Sequence, residues 1–169
     1  MSLSMHAAAV PPLQRTLTNL AAVLAKAEAH AEAGGIDPAV LLASRLYPDM
    51  FPLTRQVQIA ADIARRGVAR LAGVEAVAVA DDETTFAQLI ERLEAAVNEL
   101  GGYAPNQLED SAEREVSVPI GRGQSITMIG WPFLSGFVLP NVYFHTTTAY
   151  GILRHNGVVL GKRDFLGEP

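Results

Sequence analysis

The sequence contains no cysteine, and that absence alone removes disulfides, thiolate metal sites and a cysteine nucleophile. Charged residues make up only 18% of the chain, which leaves apolar surface for self-association. The basic residues are few and scattered and the formal net charge is −5, so a phosphate-backbone partner is not expected. No apolar run approaches the ~20 residues needed to span a bilayer. Met1 to Val10 has no basic region and runs into Pro11-Pro12, so it does not read as a signal peptide. A cytoplasmic protein with neither a nucleic-acid nor a membrane partner is expected. Catalytic signatures are missing too. There is no Gly-x-Ser-x-Gly elbow, no His-Glu-x-x-His and no calcium-binding loop. Gly157 to Lys162 has the wrong glycine spacing for a phosphate-binding loop, with Arg163 where Ser or Thr is needed.

What the chain does contain is helical periodicity. Leu13, Leu17, Leu20, Leu24, Ala27 and Ala31 recur in steps of four and three until Gly34-Gly35. Pro11 and Pro12 suit the first turn of that helix, or a kink if it begins nearer Ser4. Asp37-Pro38 caps a short helix that ends before Pro48. A second long helix follows Pro52, with Leu53, Val57, Ala60, Ala64, Val68 and Leu71 on one stripe, and an apolar connector comes after Gly73. Thr85 and Gln88 fit a capping box opening a third long helix through Phe86, Leu89, Leu93, Val97 and Leu100. Between Glu115 and Met128 the period switches to two around Gly121-Arg122-Gly123, which predicts a β-hairpin. The fourth long helix runs from about Trp131 to His155, stopped by Asn156-Gly157, and the tail to Pro169 reads as irregular. The 169 residues therefore predict one domain, an all-α up-and-down four-helix bundle with a small β-hairpin before the last helix.

At about 100° per residue, Leu134, Val138, Asn141, His145, Thr148 and Ile152 share one face of the fourth helix. Three polar groups thus interrupt an apolar stripe, and each left unpaired in a core would cost about 1–3 kcal/mol. On the second helix Gln56 also points inward, whereas Arg55, Gln58 and Asp62 fall on the opposite face, which reads as solvated or as a dimer contact. Gln56, Asn141 and His145 either converge on an interior pocket or form a buried network that fixes helix register. Tyr143 and Tyr150 occupy a neighbouring stripe and, with Phe144, could supply an apolar wall. His155 suits C-capping, and His6 and His30 suggest no chemistry.

Pro48-Asp49-Met50-Phe51-Pro52-Leu53-Thr54-Arg55-Gln56, Asn141-Val142-Tyr143-Phe144-His145, Ala149-Tyr150, Arg154-His155-Asn156-Gly157 and Gly161-Lys162-Arg163-Asp164-Phe165 resemble a bacterial domain-of-unknown-function family. That family is similar to the DinB/YfiT-like superfamily of four-helix bundles. Many DinB-like members bind a divalent metal through one histidine on the second helix and two, spaced by four, on the fourth. Some use it for hydrolysis or thiol-dependent transfer. Aligned on Leu153-Arg154 and Gly157, the resemblance puts His145 at the final ligand position and Asn141 at the other fourth-helix position. No histidine occurs in the second helix, where Gln56 is the nearest inward polar residue. Neutral amide oxygen is a weak ligand for nickel or zinc, so no cofactor is expected, with His145 the one ligand if a divalent metal binds.

The resulting expectation is a DinB-like bundle that binds a small ligand or serves in stress, with Gln56, Asn141, His145 and Tyr150 as ligand-binding residues. Two alternatives stand beside it. One is a degenerate metal-dependent hydrolase or thiol-dependent transferase with His145 as the catalytic candidate. The other is a purely structural homodimer. A homodimer is expected in every case, from the resemblance, the low charge and the aromatic positions.

Overall fold

The computed structural model describes residues 4–121 and 123–167. Helix α1 (Met5–Gly34) starts where Ser4 accepts from the Ala7 amide, so Pro11 and Pro12 lie inside it rather than in its first turn. Both point away from the core, Pro11 exposed and Pro12 half-buried. The leucine stripe of α1 is fully buried, and Gly35 closes the helix at φ +62°. Asp37 caps α2 (Pro38–Ala43). Helix α3 (Leu53–Ala72) ends in a left-handed Gly73. The predicted Thr85–Gln88 capping box opens α4 (Phe86–Gly101). Four long helical segments pack their apolar stripes into one core, α1 against α4, α3 against α4, and the last long helix against α3 and α1.

The hairpin forms as predicted, β1 (Glu115–Gly121) antiparallel to β2 (Gln124–Ile129), with Val116 opposite Met128 and Val118 opposite Ile126. Of its turn Gly121-Arg122-Gly123, Arg122 lies outside the described residues. The chain then returns to the bundle through Gly130, whose missing side chain is a requirement. A Cβ there would stand 1.8 Å from the Ser111 carbonyl oxygen.

The last long helix departs from a regular α-helix. It comprises α5 (Gly130–Phe133), a π-turn (Leu134–Val138) and α6 (Leu139–His155). Leu139 N–H closes the π-turn on Leu134 O. The next residue, Pro140, has no N–H, and in a regular helix its ring would press on the carbonyl four residues back. Widening the preceding turn relieves that clash. The tail also differs from the irregular segment the sequence predicts. It forms α7 (Lys162–Leu166), whose start is fixed by Asp164 Oδ2 accepting from Gly161 N–H at 2.7 Å. This helix docks on α1 through the Lys26–Asp164 ion pair and Asn19 Nδ2 donating to Phe165 O at 3.1 Å. Among the described residues no helix is long and apolar enough to cross a membrane.

Candidate functional site

The first turns of α3 and the middle of α6 bring Gln56 and His145 together. Gln56 is 2% exposed. Its Nε2 donates to Phe51 O at 3.1 Å, in the loop that enters α3. A backbone carbonyl can only accept, so this bond orients the carboxamide and leaves Oε1 facing His145 Nδ1 at 2.7 Å. Nδ1 must therefore carry the hydrogen. In the neutral imidazole Nε2 then keeps its lone pair, and among the described residues it has no hydrogen-bond partner. Burial, and next the charge of Arg55, push the His145 pKa below its usual value. Both favour the neutral ring. Phe144 stands edge-on to the imidazole at 5.2 Å, exposed to solvent.

The other polar groups of the α6 stripe are satisfied inside their own helix. Asn141 Nδ2 donates to Phe137 O at 2.7 Å in the π-turn, and Thr148 Oγ1 donates to Phe144 O at 2.8 Å. Asn141 and His145 are half-buried, beside the deepest line of Val142, Thr146, Ala149 and Leu153. The imidazole thus lies at the margin of the bundle, backed by a buried glutamine. Tyr150 stands apart from this pair. It packs edge-to-face on Phe165 of α7, with ring centroids 5.9 Å apart. His6 bonds the Tyr103 carbonyl. His30 lies near Gly157, and His155 is exposed in the last turn of α6.

The face of α3 read as solvated is covered. Gln58 is 4% exposed, and residues 74–85 fold over it between α3 and α4. Arg92 of α4 organises the cover, donating to Ala80 O (2.8 Å), Glu83 (2.7 Å), Asp62 (2.9 Å) and Asp81 (2.9 Å). Arg65 grips Val77 O and Glu99, Gln58 donates to Glu83 at 2.8 Å, and Arg55 pairs with Asp81. Burial alone would lower the basicity of Arg92, but the Glu83 bond and the Asp62 charge outweigh it and raise the pKa. Burial likewise pulls Asp81 and Glu83 up, yet their arginine bonds win and hold both below the usual carboxylate range. This cluster escapes a reading by helical stripe because its acids come from a segment without periodicity. The visible signal was Asp81-Asp82-Glu83 lying nine to eleven residues before Arg92, itself at the edge of the α4 stripe.

A family model described as "Domain of unknown function (DUF1993)" matches residues 5–166. The chain belongs to the DUF1993 family. It is also similar to a DinB family member from Shewanella denitrificans of known crystal structure. The two share 44% identity over 98% of this chain and 93% of that one, with a TM-score of 0.90. No curated protein matches the chain. The DUF1993 chain is therefore DinB-like in fold, as its sequence implied. The three-histidine site of metal-binding DinB relatives does not fit its residues. Gln56 offers its oxygen to His145, Asn141 offers an amide, and among the described residues no three His, Cys, Asp or Glu side chains group as metal ligands.

Proposed function

We propose that this DUF1993 protein is a small-ligand-binding module whose recognition group is His145 Nε2. The observation that carries the reading is the Gln56–His145 bond, which commits Nδ1 and leaves a neutral ring with one unpaired acceptor among the described residues. Such a group accepts a hydrogen bond from a hydroxyl or amine and has no charge with which to hold an anion. Leu46, Tyr47, Phe51 and Phe144 are exposed apolar side chains of the same loop and helix. They suit a ligand with an aromatic or aliphatic body, or contact with a second copy of the chain, as the expected homodimer requires. Tyr150, bound up with Phe165, would secure α7 in this reading. Phenol, an aromatic ring with one donor, is a suitable probe. At millimolar phenol the His145 ring resonances are expected to shift, and His145→Ala to abolish binding. Unmoved His145 resonances would discard the reading.

The lowered pKa also favours a second reading, in which the same lone pair acts as a general base without metal. A positioned base contributes about 10²–10⁴-fold. Loss of an activity in His145→Gln, with folding unchanged, would support it.

A further inference from the structure

Along α3, C-terminal to Gln56, two cavities adjoin. The larger, about 590 Å³, lies between the last turns of α3, the start of the connector and β1, and is lined by Arg66, Arg70 and Arg114. The smaller, about 230 Å³, continues towards the π-turn and is lined by Ile59, Ile63, Phe133 and Phe137 together with Arg55 and Asp62. Arg66, Arg70 and Pro119 line both, so together they make one trough with a basic end and a more apolar end. Gln56, Asn141, His145 and Tyr150 line neither.

One of these arginines, Arg70, exceeds what the fold needs. Arg66 and Arg70 are one helical turn apart, where like charges repel. Arg66 is held by Asp62 at 3.1 Å. Arg114 uses one nitrogen to cap Leu71 O at the α3 C-terminus. Arg70 has no protein acceptor among the described residues. Glu75 and Glu115 line the same end, yet neither stands within ion-pair distance of any arginine there. All three guanidinium-bearing side chains are half-buried. Burial, and then the neighbouring Arg66 charge, weaken Arg70's hold on its proton, so an anion beside it would relieve a standing repulsion.

We propose that this trough binds an amphipathic monocarboxylic acid, with its carboxylate on Arg70 and Arg66 and its apolar body against Ile59, Ile63 and Phe137. A guanidinium fork matches a carboxylate bidentately. Over the whole trough Arg55, Arg66, Arg70 and Arg114 against Asp62, Glu75 and Glu115 leave one net positive charge, which suits a monoanion over a doubly charged phosphate. The larger cavity is of the size that small-molecule sites have, and the smaller extends it. This site does not depend on the His145 reading, because no residue of that pair takes part.

The test is calorimetric titration of the full chain with octanoate, 1-octanol and acetate at fixed ionic strength. Octanoate is expected to bind at least tenfold more tightly than either fragment, since only it fills both ends. Arg70→Gln is expected to weaken octanoate at least tenfold while leaving 1-octanol unchanged. Arg70 makes no protein bond among the described residues, so the variant should fold, and an unchanged melting temperature checks this. Octanoate that binds no better than 1-octanol, or equally well to Arg70→Gln, would overturn the proposal.

Discussion

Gln56 selects the tautomer of His145. The glutamine can do so because its own orientation is fixed by the Phe51 carbonyl, a group with no hydrogen to give. A helix entry loop thereby determines, through Gln56, which nitrogen of the imidazole 89 positions beyond that glutamine is open.

Gln56→Glu should turn this arrangement round. A carboxylate accepting from Nδ1 stabilises the imidazolium, and an opposite charge at this range raises a histidine pKa by about 1–3 units. Long-range proton–nitrogen NMR should show the Nδ1–H tautomer in the wild type at neutral pH and a higher His145 titration midpoint in the variant. A midpoint that does not rise would contradict the assignment.

The depressed His145 pKa also sets a pH dependence. The unfolded chain takes up the imidazole proton near pH 6.5, and the folded chain only at lower pH. The unfolded state therefore binds more protons within that interval, and stability falls with falling pH. The stabilisation is complete above about pH 6.5 and is lost as pH drops through the folded value. His145→Gln keeps a donor for Gln56 and cannot titrate, so its urea midpoint should decline less between pH 7.5 and 5. Parallel declines in the two proteins would exclude the linkage.

Arg92→Ala should be among the most damaging single changes in the connector region. It strands Glu83, leaves Asp62 to Arg65 and Arg66 and Asp81 to Arg55 around a vacated centre, and frees the Ala80 carbonyl. Breaking a buried ion pair from one side destabilises by about 3–5 kcal/mol. Urea denaturation measures the loss directly, and a deficit below about 1 kcal/mol would mean the network is as weak as an exposed pair. Arg92→Ala together with Asp62→Asn and Asp81→Asn should recover part of it.

Gly67 and Val138 offer a packing test. A methyl on Gly67 would come within 2.8 and 2.9 Å of the two Val138 methyls. Overpacking typically costs about 1–3 kcal/mol, and better helix propensity offsets up to about 1 kcal/mol. Gly67→Ala is expected to be net destabilising, and Val138→Ala in the same chain should restore part of the loss. Additive effects in the double-mutant cycle would show that the two positions do not meet.

Features of local origin were the ones legible in the sequence. Asp37-Pro38 and Thr85–Gln88 begin helices through bonds to their own neighbours, and the leucine stripe of α1 needs only its period. The alternation around Val116 and Val118 likewise marked the hairpin. Gln56 and His145 were both visible as inward polar residues, and they do meet. Asn141 faced the same way on a helical wheel but satisfies itself on Phe137 O. The covering of Gln58 and Asp62 was not legible. It arises from residues 74–85, an irregular segment whose path is set by arginines on two other helices. The small α7 was hidden in the same way, since a five-residue helix holds only by docking on α1.

The π-turn before Pro140 has a bearing on how this chain can be altered. A π-turn amounts to one residue more than an α-helix needs, so excising Gly136, which no neighbour would crowd even as alanine, should let the segment rewind. Everything before it, from the hairpin to Trp131, would then rotate by roughly 100° relative to α6. The trough wall built by β1 and Phe133 would turn with it, while Gln56 on α3 and His145, C-terminal to the excision, would keep their bond. A single-residue deletion would thus uncouple the two halves of this surface, leaving α6 in register with α3 while displacing the buried Phe133 and Leu134.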